Sequence, residues 1–141
     1  SIVTNCKHLE ELSLSTRSLD HRAMYLTDKE IELLSDKLTK LETLYLIPKL
    51  TKADDNKLTA MAAVEIAKHM PYLKRLYLRD CYASLGKNHI GDDGAVVIAS
   101  NIKLLEELGL VGCKIDQRGI VSIAEGLPHL KKLYLCKAWL N

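Results

Sequence analysis

The apolar positions of this chain fall into one pattern repeated five times: LxxLxL begins at Leu9, Leu41, Leu73, Leu105 and Leu130. The segments read LEELSL, LETLYL, LKRLYL, LEELGL and LKKLYL, at intervals of 32, 32, 32 and 25 residues. Leucines two apart describe a strand with one buried face, so a short strand is predicted at each segment. A second apolar pattern follows each of the first four. It runs Leu26, Glu30, Leu34, Ser35, Leu38, then Leu58, Ala62, Ile66, Ala67, Met70. It returns as Ile90, Gly94, Ile98, Ala99, Ile102 and as Ile115, Gly119, Ile123, Ala124, Leu127. Steps of four, eight, nine and twelve lie on one face of a helix. The small residues Ser35, Ala67, Ala99 and Ala124 are expected to let each helix lie close to the strand beneath it. Thr27 with Glu30 reads as a capping box, and Thr59 and Asp116 are suited to N-caps. Pro71 and Pro128 follow the helices, where winding must stop.

The shorter last interval separates a basic unit from an insert. In that turn only Val111, Gly112, Cys113 and Lys114 lie between the strand and Ile115. The three longer turns carry about seven extra residues at the same place. Strands joined in sequence by helices must pair in parallel. One such unit cannot bury its apolar face alone, so the units are expected to stack.

The turns resemble leucine-rich repeats of the ribonuclease-inhibitor-like and cysteine-containing classes. The resemblance rests on LKRLYLRDC ending at Cys81, LEELGLVGCKI ending at Ile115, HIGDDGAVVIAS from His89 and NCKHLEELSL from Asn5. It implies an α/β solenoid, a horseshoe segment with a parallel sheet on the concave face and helices on the convex face. Residues 1–141 are then one domain of about four full repeats with partial repeats at both ends, read as a segment of a longer array. Two features depart from those classes. The inserts are long, and the turn position of Cys81 and Cys113 holds Arg17, Lys49 and Ala138 elsewhere, which predicts a less regular edge in the first turns. Such repeats serve as binding scaffolds, so the resemblance implies a protein partner without naming one.

Composition narrows the remaining classes. Apolar residues make up 48% and charged residues 27%, and the net charge is +2. That balance gives no support to nucleic-acid binding by bulk charge. No apolar run approaches the ~20 residues of a membrane span, so no membrane role is expected. The four cysteines, at 6, 81, 113 and 136, are widely spaced and form no CxxC pair. A reducing, cytoplasmic setting is therefore expected.

Catalytic, metal and cofactor sites are not expected. Cys6 lies near His8, but it aligns with Leu38, Met70, Ile102 and Leu127 and is read as a core thiol rather than as a nucleophile. An enzyme built on Cys6 or Cys136 and a plain structural spacer are the competing readings. Asp54, Asp55 and Asn56 lack the EF-hand pattern. Cys81 and Cys113 recur at one turn position in adjacent repeats, within disulfide reach, yet reduced thiols bonded to the turn backbone fit the compartment better.

Function is expected on the sheet face that the leucines leave open. Two rows cross it: Glu10, Glu42, Lys74, Glu106, Lys131, and Glu11, Thr43, Arg75, Glu107, Lys132. Their later members alternate in sign, as in a self-neutralising ladder. The next row reads Ser13, Tyr45, Tyr77, Gly109, Tyr134, and the one beyond it Ser15, Ile47, Arg79, Val111, Cys136. Tyrosine is favoured in binding hot spots. Tyr45, Tyr77, Tyr134 and Arg79 are thus the expected contact centre, with Arg75, Ile47 and Val111 beside them. Gly109 is expected to leave a notch between Tyr77 and Tyr134, and the rings to stand clear of the core. The inserts 18–25, 50–57 and 82–89 would form a rim. The apolar ends, Trp139 and Leu140 among them, suggest self-association.

Overall fold

The computed structural model describes residues 6–15, 27–47, 58–79 and 90–135. Within them the chain is α/β, with five strands and four helices in strict alternation. The strands are β1 (Glu11–Ser15), β2 (Thr43–Ile47), β3 (Arg75–Arg79), β4 (Glu107–Val111) and β5 (Lys132–Tyr134). The helices are α1 (Asp28–Lys37), α2 (Ala60–His69), α3 (Gly91–Asn101) and α4 (Gln117–Gly126). All strands pair in parallel, in chain order, in one sheet. The register is the one that the repeat alignment gives: Leu12 lies beside Leu44, Leu44 beside Leu76, Leu76 beside Leu108 and Leu108 beside Leu133. The inserts, Cys81, Cys136, Trp139 and Leu140 lie outside the described residues.

The core lies between the sheet and the helices. Leu44, Leu46, Leu76, Leu78, Leu108 and Leu110 point into it from the strands. Ala62, Ile66, Met70, Ile98, Ile102, Ile123 and Leu127 meet them from the helices. Cys6 is only half-buried, whereas its counterparts Leu38, Met70, Ile102 and Leu127 are fully buried.

The small residues act differently from the expectation. Ser35 and Ala99 meet the neighbouring helix, and Ala124 is exposed. A Cβ on Gly126 of α4 would lie 3.0 Å from the Ala99 Cβ and 2.7 Å from its carbonyl oxygen. The Ser35 hydroxyl likewise lies 3.4 Å from His69 of α2. A second helix position, Ile31, Ala63 and Ala95, is buried in the same way and falls outside the predicted pattern. A Cβ on Gly94 would lie 3.4 Å from that of Ala63, and one on Gly119 3.3 Å from that of Ala95. On α4 the corresponding Ile120 and Ala124 are exposed, because among the described elements α4 packs only on α3 and β5 only on β4.

Helix starts are tied from one unit to the next. In α1 the Thr27 N–H and hydroxyl both donate to Glu30, the expected box, and this holds the Glu30 carboxyl below its ordinary range. Thr59 accepts from the Met61 N–H at 3.1 Å, as an N-cap should. It also donates its N–H and hydroxyl to Asp28 of the preceding helix, at 2.9 and 2.5 Å. Asp116 occupies the N-cap of α4, yet its side chain caps nothing. Its N–H instead donates to Asp92 of α3 at 2.8 Å.

Candidate functional site

The open face of the sheet is built by alternation. With the leucines turned inward, residues 43 and 45 of β2 and their counterparts elsewhere take the opposite face. Each strand pairs in register, so equivalent residues form straight rows. Tyr45 lies beside Tyr77, Tyr77 beside Gly109 and Gly109 beside Tyr134.

The three tyrosines form one continuous aromatic row. Tyr45 and Tyr77 stack with centroids 4.7 Å apart and planes at 16°, and Tyr77 meets Tyr134 at 5.8 Å and 36°. Offset stacking of this kind adds about 0.5–1.5 kcal/mol per pair beyond burial. The expected notch at Gly109 does not exist. The Tyr77 ring leans over Gly109, so that a Cβ there would lie 2.5 Å from its Cδ1. The ring's hydroxyl donates to Glu107 Oε2 at 2.7 Å. Burial first, and then the Glu107 carboxylate, push the Tyr77 phenol well above its ordinary range. Tyr77 is thus partly built into the fold, whereas Tyr134 stays 48% exposed.

Ion pairs form along each charged row, and among the described residues Glu107 alone sits between two cations, Arg75 and Lys132. Lys74 pairs with Glu42 at 3.4 Å, Lys131 with Glu106 at 2.9 Å and Lys132 with Glu107 at 3.4 Å. Arg75 approaches Glu107 at 3.9 Å and so also takes part in the ladder. Glu106 and Glu107 are both held below the ordinary carboxylate range, the first chiefly by Lys131 and the second chiefly by the Tyr77 hydroxyl. Thr43 is buried between its neighbours in this row, at 4% exposure, a burial that its polar side chain did not announce.

In the remaining row Arg79 is exposed and pairs with Val111 in register. Ile47 lies beside Ser15 at the end of β2. Tyr45, Arg75, Tyr77, Arg79, Val111 and Tyr134 therefore share one face, with Tyr77 in contact with both Tyr45 and Tyr134 and Arg79 at the far end of β3, while the side chain of Ile47 lies outside the described residues. The rim of inserts lies outside the described residues.

Two other side-chain clusters lie on the helices. Ser35 and Glu65 both approach His69, at 3.4 and 3.3 Å, which superficially suggests a triad. Both address the same ring nitrogen, Nδ1, whereas a triad needs serine and acid on opposite nitrogens. Arg118 closes on Asp92 and Asp93 beside Asp116, a surface clasp between α3 and α4. Among the described residues no group of three His, Cys, Asp or Glu is placed to hold a metal, and no helix is long and apolar enough to cross a membrane. Cys113 is buried, and its thiol contacts the carbonyls of Leu78 and Val111 at 3.7 and 3.6 Å.

No protein-family model matches the chain, and no curated protein matches it.

Proposed function

We propose that the chain is part of a leucine-rich-repeat solenoid whose open sheet face, concave in such an arrangement, binds another protein. The repeat-class reading draws support from consecutive parallel strands in the register of the repeat and from Cys113, whose buried thiol bonds the Leu78 carbonyl of the neighbouring strand. The observation that carries the binding reading is the aromatic row Tyr45–Tyr77–Tyr134 on the sheet face opposite the buried leucines. Rigid strands hold these rings in place before any partner arrives, which lowers the ordering cost of association. Alternating charges on one side and Arg79 on the other supply a polar border, the usual surround of an apolar contact centre.

The test is capture of a partner by the intact chain and by two triple variants. Tyr45→Ala, Tyr77→Ala and Tyr134→Ala together should abolish capture, at about 2 kcal/mol or more for each hot-spot ring. Leu33→Ala, Met61→Ala and Val121→Ala, which change exposed helix residues, should leave it intact. Circular dichroism confirms that each variant is folded. A tyrosine-free face that captures the same partner equally well would overturn the proposal.

A further inference from the structure

Gly109 puts a gap in the tyrosine row, and the row nonetheless runs on. Tyr77 and Tyr134 stand on β3 and β5, two strands apart, so their backbones are about 10 Å from each other. Their ring centroids are only 5.8 Å apart. The Tyr77 ring closes the difference by lying over Gly109, where a Cβ would meet its Cδ1 at 2.5 Å. Gly109 is buried, although it belongs to the open face.

The empty place at Gly109 permits this lean without selecting it. A tyrosine side chain has other staggered positions to choose from. The selecting group is Glu107, whose Oε2 accepts the Tyr77 hydroxyl at 2.7 Å. That carboxylate is itself braced from both sides, by Lys132 of β5 at 3.4 Å and by Arg75 of β3, whose Nε lies 3.9 Å away. Glu107 and Gly109 are two residues apart on β4 and so serve the same face. One frees the space, and the other fixes the ring in it. Tyr45 then stacks on the ring from β2, at 4.7 Å.

We infer, on the reading that the sheet face binds a protein, that Glu107 is the positioning residue of that face: it holds the Tyr77 ring over Gly109 and so keeps the aromatic row unbroken from β2 to β5. The row then spans three strand spacings, about 14 Å. With the ring released, it breaks into the Tyr45–Tyr77 pair and a separate Tyr134, with a gap over β4. An unbroken row suits an extended segment of the partner laid across the strands, in contact with all three rings. A broken row suits a single side chain pushed into the gap. Glu107 thus selects the shape of the partner through Tyr77, without touching the partner itself.

The experiment selects random heptapeptides on the immobilised intact chain and titrates one labelled winner against the parent and its variants. Tyr77→Phe removes the hydroxyl and keeps the ring and every charge. Glu107→Ala removes the acceptor. Each should weaken binding about tenfold, the worth of one hydrogen bond to a charged group. Together they should weaken it no further, because both break one link. Glu107→Gln, which keeps an acceptor oxygen, should recover most of the loss. An ultraviolet pH titration supplies a signature that bears on the link itself. The phenol that Tyr77→Phe removes should titrate above the ordinary tyrosine range in the parent, and lower in Glu107→Ala, where the ring is released. Circular dichroism confirms that each variant is folded. Losses that add, equal binding by the parent and Glu107→Ala, a Tyr77 phenol unmoved by Glu107→Ala, or no winners at all would overturn the inference. Binding that ignores Glu107→Ala yet is lost in the triple tyrosine variant would sink the positioning role alone. Binding that survives the triple tyrosine variant would sink the sheet-face reading itself.

Discussion

Gly109 decides how the tyrosine row closes. Only a residue without a Cβ lets the Tyr77 ring lie across β4 and reach Glu107. Tyr77 therefore contributes to the fold as well as to the exposed face, and its truncation costs stability. Tyr45 and Tyr134 are the cleaner probes of binding. The Tyr77–Glu107 bond also gives stability a pH signature. Glu107 is depressed by the Tyr77 hydroxyl first and then by Lys132 and Arg75. The stability linked to a depressed carboxyl is present above its unfolded pKa of ~4.3 and fades as pH falls through the lower folded value. Tyr77 is raised, so its share is present below the unfolded phenol value of ~10 and fades as pH climbs through the folded one. The melting temperature of Glu107→Gln should therefore fall below that of the parent chiefly between about pH 5 and 9, with the gap closing in acid below about pH 4. Thermal melts across that range check it. A gap of constant size down to pH 2.5 would remove the bond from the explanation.

The helices pack on two fronts, and only one was legible in the sequence. Ile66, Met70, Ile98 and Ile102 declare the front against the sheet, because apolar side chains at steps of three and four mark a buried stripe. The front against the next helix is set by Ile31, Ala63 and Ala95 and by Ser35, Ala67 and Ala99. Alanine and serine are common on any helix face, so their burial carries little signal. The cross-unit bonds that the Thr59 and Asp116 N–H groups donate to Asp28 and Asp92 were hidden for another reason: a carboxylate at a helix start ordinarily serves its own helix. This packing makes a paired prediction. Ala99 touches α4 at Gly126, where Lys103 also bonds both carbonyls, at 2.8 and 2.7 Å. Ala99→Leu should cost about 1–3 kcal/mol by overpacking. Ala124→Leu, at the equivalent but exposed position, should be nearly neutral. Chemical denaturation measures both, and equal losses would show that the helices do not meet through these residues.

Across the whole molecule, the repeat gave the strand register and hence the membership of each row. Tyr45, Tyr77 and Tyr134 could be aligned from spacing alone because a parallel sheet with equal repeats keeps equivalent residues side by side. The direction in which each ring leans could not, since it depends on side-chain rotation over a neighbour. The predicted notch at Gly109 failed for that reason. The direct test of sheet-face binding is amide hydrogen exchange of the intact chain with and without a saturating amount of the captured partner. New protection concentrated in β2, β3, β4 and β5, around Tyr45, Tyr77 and Tyr134, is the expected result. Protection gathered instead on the outer faces of α1 to α4, with the strands unchanged, would contradict it.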